Sequence, residues 1–403
     1  MWPKELKKWT NFQKLSCSIL HGSKKESALK EKADIYLINP EGLPWLINSG
    51  ALEELKPDTL IIDESSKFKN TQTQRFKTLK PWLGKFRRRW ILTGSPTPNG
   101  LLDLFGQIFI LDMGAALSPY ITQYRRMFFD PSGYGGYEWK LKPDGAKRIN
   151  TAIKPLILRL EDSDYLELPE IVDNDIYVDL PPAARKMYNQ MERVLLTSLA
   201  NKELITAANA GVASMKCSQI ANGGVYRQGL EVDTPLVDSE RWVDVHDAKA
   251  EAVADLVEEL EGEPVLIGYE FDHDLARLRK VLPKDAVYVA DLSAKQFAEV
   301  ENRWNRGEIT VLVGQTSSIA HGLNLQDGNA RHLILHSLIW NYEDYMQFIR
   351  RIRRQGNKSK KVFVHRIIAR DTVDEAKVDA LANKHDTQYS FLTALKDYAR
   401  RRS

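Results

Sequence analysis

Thr59-Leu60-Ile61-Ile62-Asp63-Glu64-Ser65-Ser66-Lys67 is a short apolar run that ends in two adjacent carboxylates. Its length and its β-branched residues read as a strand. The tip of a strand in a parallel sheet delivers side chains to the crevice at the carboxyl ends of the sheet. Two carboxylates placed there can divide a hydrolytic task, one holding magnesium and the next orienting an attacking water. A strand that runs into a solvated acidic turn carries the same pattern, so this stretch alone leaves both readings open.

Working outward, similar apolar runs recur at 35–39 and 89–94, with a weaker one at 17–21. A second series lies at 265–269, 286–290, 310–314, 333–337 and 362–368, separated by helical patterns at 247–261, 272–282, 294–306 and 342–354. Strands alternating with amphipathic helices predict an α/β fold with parallel sheets. Between about 103 and 213 strand runs are few. Pro181-Pro182 there opens a long helical pattern over 183–208, and Gly133-Tyr134-Gly135-Gly136-Tyr137 reads as a loop. The chain closes on a charged helical pattern over 372–402. The expected organisation is a first α/β lobe over 1–112 that is short of strands, helical insertions and linker over 113–245, a complete second lobe over 246–370, and a C-terminal helix over 371–403.

The 403 residues carry 57 Lys and Arg against 54 Asp and Glu, a net charge of +3 that does not by itself argue for a nucleic-acid partner. Two cysteines, Cys17 and Cys217, far apart, give no disulfide framework and favour a reducing compartment. No apolar run reaches membrane-spanning length and the opening residues lack a signal-peptide core, so the expected location is the cytoplasm, or the host cytoplasm for a viral protein. His332 and His336 lie four apart in a strand-like run and share a sheet face, which is weak ground for a metal site.

Three further stretches carry chemistry. Trp90-Ile91-Leu92-Thr93-Gly94-Ser95-Pro96-Thr97-Pro98-Asn99 runs from a strand into a hydroxyl-rich turn, suited to a loop that reports between nucleotide and nucleic acid, or equally to an ordinary turn. His321-Gly322-Leu323-Asn324-Leu325-Gln326 follows a strand; Gly322 permits close backbone approach to a phosphate, although a plain connecting loop reads the same way. In Tyr345-Met346-Gln347-Phe348-Ile349-Arg350-Arg351-Ile352-Arg353-Arg354-Gln355-Gly356-Asn357, Arg351 and Arg354 are three apart and Gln347 precedes Arg351 by four. On a helix those three share a face, and two guanidinium groups suit a terminal phosphate. A basic helix gripping a nucleic-acid backbone, or a solvated face, is the competing reading.

In order and spacing these four stretches resemble the motifs of the Swi/Snf branch of the superfamily-two helicase-like ATPases, and most closely its short bacteriophage members. Asp63-Glu64 matches the Walker B motif, Leu92-Thr93-Gly94-Ser95-Pro96 the Leu-Thr-Gly-Thr-Pro motif, Gly322-Leu323-Asn324-Leu325-Gln326 the Gly-Leu-Asn-Leu motif, and Gln347 to Gly356 the Gln-xxx-Arg-xx-Arg-x-Gly pattern. The resemblance implies two RecA-like lobes, ATP and magnesium as cofactors, and duplex DNA as partner. It implies that Asp63 holds magnesium through water and that Glu64 is the general base. Arg351 and Arg354 become arginine fingers, and Thr93, Gly94, Ser95, Gly322, Asn324 and Gln347 bind nucleotide or couple the lobes. DNA contacts fall to Arg350, Arg353, Lys358, Lys360 and Lys361, with Arg87-Arg88-Arg89 and Arg400-Arg401-Arg402 as further basic runs.

Arg350 and Asn357 depart from the family's preferred Gly and Gln. The larger departure is that no G-x-x-x-x-G-K-[ST] phosphate-binding loop occurs in the chain. Set against the family pattern, the first lobe is short by on the order of 70–90 residues. The expectation is an N-terminally truncated motor that hydrolyses ATP poorly alone, its loop supplied by upstream residues or a second polypeptide. A catalytically inactive DNA-binding fragment or scaffold is the alternative.

Overall fold

The computed structural model describes residues 2–94, 96–97, 100–132, 138–160, 168–200, 207–227, 241–319, 323–383 and 391–402. The chain divides into two units, Met1–Arg159 and Leu160–Ser403.

In the first unit, β1 (Cys17–Leu20) pairs in parallel with β2 (Ile35–Ile38), and β3 (Thr59–Ile62) in parallel with β4 (Arg88–Ile91). The 3₁₀ turn Ser65–Phe68 follows β3 directly. The helix Leu104–Asp112 is apolar apart from Gln107 and the terminal Asp112, has no polar face, and is buried from Leu104 through Ile110. It packs with Phe68, Phe76, Leu79 and Tyr124 into a single core. An antiparallel hairpin of β5 (Phe129–Ser132) and β6 (Glu138–Leu141) lies beyond the helix Ile121–Phe128. Parallel strands normally bury both faces, yet Ile19, Ile61 and Trp90 are 53%, 57% and 60% exposed.

The second unit is built on a six-stranded parallel sheet. Its strands are β7 (Glu170–Val178), β10 (Val265–Tyr269), β11 (Val287–Tyr288), β12 (Val311–Gln315), β13 (His332–Leu335) and β14 (Lys361–Ala369), in the order β11-β12-β10-β13-β14-β7. β8 (Gly224–Tyr226) and β9 (Trp242–Asp244) form a separate antiparallel pair. β10, β12 and β13 are buried almost throughout, which is why they read as unbroken apolar runs. The helices Pro182–Ala200, Ala207–Asn222 and Phe391–Arg402 pack with Val373 and Ala376 into a second core of this unit.

Several expected boundaries move. The strand over 286–290 shortens to Val287–Tyr288 and gives way to a 3₁₀ turn at Val289–Asp291. The closing helix over 372–402 is two helices, Val373–Ala382 and Phe391–Arg402. The block placed over 113–245 as helical insertions contributes a strand: β7 pairs with β14 along all nine residues. Its sequence, Glu-Ile-Val-Asp-Asn-Asp-Ile-Tyr-Val, puts three poor strand formers in the middle. Each is answered from β14: Asp175 receives Arg366 at 2.6 Å, Asp173 lies 3.8 Å from the same guanidinium, and Asn174 meets His365 at 2.9 Å.

β10 is flanked by β12 and β13, and the chain leaves it toward one side of the sheet and leaves β13 toward the other. The carboxyl ends of these two strands are therefore a topological switch point, where open α/β sheets usually take ligands. Here the protein's own groups fill it. Asp274 accepts from Ser337 Oγ at 2.6 Å and from Asn222 Nδ2 at 3.3 Å, and Asn222 Oδ1 accepts from Lys249 Nζ at 2.7 Å. Lys249 also pairs with Asp374 at 2.5 Å, both side chains fully buried. Burial alone would raise the Asp274 pKa; the neighbouring His273 and His336 and the Ser337 hydroxyl outweigh it and hold the carboxyl well below the usual range.

Candidate functional site

Each unit carries part of the expected machinery. In the first, β3 ends at Ile62, and Asp63 is exposed immediately beyond it. Glu64 takes a left-handed backbone conformation, φ 52° and ψ 55°, which a non-glycine residue adopts at some cost and which turns the chain sharply out of the strand. The Glu64 amide donates to Asp63 Oδ1 at 3.0 Å, and Trp2 Nε1 donates to Asp63 Oδ2 at 3.1 Å. The ladder between β3 and β4 continues past both strands: Leu92 N donates to Ile62 O at 2.8 Å, and Ser65 N to Leu92 O at 2.9 Å. Thr93 and Gly94 follow Leu92, so the carboxylate loop and the hydroxyl-rich loop lie side by side. Ser95 falls outside the described residues.

One tie between these loops escaped the sequence reading. Gln107 is almost wholly buried in the Leu104–Asp112 helix; its Oε1 accepts from Ser65 Oγ at 2.8 Å, and its Nε2 donates to Pro96 O at 2.7 Å and Asp103 O at 2.9 Å. A single amide in an otherwise apolar helix, Leu-Phe-Gly-Gln-Ile-Phe-Ile-Leu, is the signal that could have found it.

In the second unit the arginine segment requires a correction. The helix expected to carry Gln347, Arg351 and Arg354 on one face runs only from Tyr342 to Ile349. Beyond it the chain continues in tight turns, with Arg351 N bonded to Phe348 O and Ile352 N to Ile349 O. Four arginines within five residues weaken a helix by like-charge crowding. Asn357 Nδ2 takes the carbonyls of Ile352 and Ala330, at 3.0 and 2.9 Å, and holds the turn. Ile352, fully buried, anchors it in the core.

The residues still converge, by another route. Arg351 Nη1 donates to Leu323 O at 3.0 Å, and its Nε to Gln347 O at 3.3 Å. Arg354 Nη1 donates to Asn324 Oδ1 at 3.2 Å. Asn324 is itself fixed from the helix Ala294–Asn305: its amide donates to Glu301 Oε2 at 3.0 Å, and its carbonyl accepts from Asn305 Nδ2 at 2.8 Å. Both arginines are half-buried and Gln347 is buried. Gly322, like His321, lies outside the described residues.

The basic residues sort into two groups. Arg353 Nε donates to Pro169 O at 2.8 Å, and Lys361 lies 3.7 Å from Glu170, so both tie the segment to β7 and its approach. Arg350 is half-buried, and Lys358 and Lys360 are exposed. The two outlying runs are engaged within the protein. Arg87 and Arg88 pair with Asp58, and Arg89 donates to the carbonyls of Leu83, Phe86 and Leu111. Arg400, Arg401 and Arg402 pair with Asp397, Asp379 and Glu192.

No group of three or more His, Cys, Asp or Glu that could enclose a metal ion occurs among the described residues. Magnesium is commonly held by one or two carboxylates, with water and substrate phosphates completing its shell. The exposed Asp63 carboxylate with Glu64 beside it fits that donor set. No described helix is long and apolar enough to cross a membrane.

Comparison with known proteins gives two family matches: the SNF2-related domain over residues 1–227 and the helicase conserved C-terminal domain over residues 248–356. The chain is 34% identical to the putative protein p41 of Acyrthosiphon pisum secondary endosymbiont phage 1, over 98% of this chain and 85% of that protein. It is 25% identical to an uncharacterized ATP-dependent helicase of Mycoplasma pneumoniae, over 81% of this chain and 30% of that protein, so it spans about a third of that relative. Among solved structures, the Sulfolobus solfataricus SWI2/SNF2 ATPase core in complex with dsDNA is similar at a TM-score of 0.41 and 20% identity, covering 98% of this chain and 80% of that one.

Proposed function

Because the chain belongs to the SNF2-related family of helicase-like ATPases and carries a helicase conserved C-terminal domain, we propose that it is the ATPase of a DNA translocase of the Swi/Snf type. The observation that carries the reading is the joining of Arg351 to the Leu323 carbonyl and of Arg354 to the Asn324 side chain. Two motifs far apart in sequence thereby become one cationic, polar surface suited to a terminal phosphate.

In this reading Asp63 holds magnesium through water, and the ion supplies charge neutralisation on the phosphates when bound. Glu64 orients the attacking water and accepts its proton. The left-handed turn at Glu64 fixes its backbone independently of any ligand. Arg351 and Arg354 stabilise the charge that develops on the transferred phosphoryl group. Thr93, Gly94, Ser95, Gly322, Asn324 and Gln347 bind nucleotide or pass its state between the lobes. Arg350, Lys358 and Lys360 contact the DNA backbone, with Arg353 and Lys361 positioning the segment; such binding is weakly sequence-specific. The cytoplasm, a host's for a viral protein, is the compartment proposed.

The chain contains no G-x-x-x-x-G-K-[ST] loop. We propose that turnover requires this loop, supplied by residues upstream of this sequence or by a second polypeptide, bringing backbone amides and a lysine to the β- and γ-phosphates. The same absence favours one alternative, a DNA-binding scaffold without turnover. ATP hydrolysis with and without duplex DNA, in the presence of a phosphate-binding-loop segment, separates them. The motor gains DNA-stimulated turnover that Glu64→Gln abolishes, and the scaffold shows none.

A further inference from the structure

We propose that Gln107 is a positioning residue that locks the loop bearing Asp63 and Glu64 to the loop bearing Thr93 and Gly94, so that the two move as one body. The role of those loops in ATP turnover rests on the function proposed above; the mechanical coupling does not. The Gln107 amide is satisfied on both sides: its oxygen takes the Ser65 hydroxyl, and both hydrogens of its nitrogen go to carbonyls, those of Pro96 and Asp103. The orientation is fixed by those two carbonyls, which only the NH₂ group can serve. Ser65 immediately follows Glu64 and Pro96 lies two residues after Gly94, so one side chain holds residues close to both stretches.

The helix packs closely against the same loop. A Cβ at Gly106 would stand 2.4 Å from Phe68 O and 2.7 Å from Lys69 O, so the helix backbone presses directly on the 3₁₀ turn that follows the carboxylates. The Leu104–Asp112 helix also belongs to the core of its unit, with Ile108 and Ile110 buried. Hydrogen bonds of 2.7 to 2.9 Å weaken steeply once the partners separate. A displacement of either loop must therefore break the amide's bonds or carry the other loop along.

Amide hydrogen exchange on the full chain tests this without requiring turnover. Gln107→Glu keeps the oxygen that Ser65 donates to and loses the NH₂ group. Exchange should rise on the order of 10-fold over 96–103 and stay unchanged over 64–69. Ser65→Ala should give the converse pattern, and Gln107→Leu should loosen both segments. A role confined to filling the core would move both segments together in every variant, or neither; that result overturns the proposal. Steady-state ATP hydrolysis, measured with the loop segment present, reads the functional half. Gln107→Glu should lower kcat with KM for ATP little changed. The exchange pattern without that loss would leave the coupling standing and contradict the ATPase reading instead.

Discussion

Lys249 and Asp374 form an ion pair with both side chains fully buried, and Lys249 is bonded in addition to Asn222. Breaking a buried pair by removing one partner leaves an uncompensated charge and commonly costs about 3–5 kcal/mol. Lys249→Met should therefore lower the unfolding free energy of the second unit by about 3–5 kcal/mol, seen as a lower urea midpoint at unchanged slope. An unchanged midpoint would show that the pair contributes nothing. Neither residue was legible as a partner, because Lys249 opens a helical pattern and Asp374 opens another far along the chain. Asp63 and Glu64 were legible because a strand tip is a local feature, written in consecutive residues. Arg351 and Arg354 were legible as neighbours on one segment, but the helix expected beneath them ends at Ile349. Gln107 was missed because its significance lies in three contacts made by one buried amide, none of which leaves a spacing in the sequence.

At the scale of elements, the second sheet was readable where its strands are buried on both faces and opaque at its edge. β7 tolerates Asp173, Asn174 and Asp175 because Arg366 and His365 on β14 answer them, a match that only the pairing reveals. Three buried histidines, His365 in β14, His336 just beyond β13 and His246 outside the sheet, lie in surroundings that oppose charge. Burial is the main cause for His246, His336 and His365, each lowered to about 4. Around His246, Lys249 and Arg277 add to the lowering while Asp247 and the Ile220 carbonyl oppose it; around His336, Asp274 opposes and Lys249, His273 and Arg277 add; around His365, His332 adds. Unfolded histidine titrates near 6.5. Between about 6.5 and 4 the unfolded chain binds more protons than the native one, so stability present above that window is lost as the pH falls through it. Thermal unfolding followed from pH 7 to pH 5 should show a falling midpoint; a midpoint that rose on acidification would contradict these assignments.

For the whole molecule, two features bear on how a motor would be built from this chain. Two of its basic runs are engaged in internal ion pairs or carbonyl contacts, which leaves the exposed Lys358 and Lys360 as the clearest candidates for backbone contact. Each phosphate contact adds roughly 0.9 to the slope of log affinity against log salt concentration for duplex DNA. Replacing both lysines by alanine should reduce that slope by about 2, with little change in sequence preference; an unaltered slope would move the DNA path elsewhere. The second feature is exposed apolar area at Ile61 and Trp90, on the two strands that lead to the carboxylate loop and its neighbour, while the family's phosphate-binding loop has no counterpart in the 403 residues. We propose that Asp63 and Glu64 are the hydrolytic carboxylates of an SNF2-related motor completed by such a loop. ATP hydrolysis by this chain, alone and with a polypeptide carrying the loop segment of an SNF2-related relative, tests it most directly when wild type and Glu64→Gln are compared with and without duplex DNA. Little turnover is expected alone, with DNA-stimulated turnover in the presence of the segment and its loss by at least ~100-fold in Glu64→Gln. Absence of turnover in both arrangements, or turnover indifferent to Glu64→Gln, would contradict it.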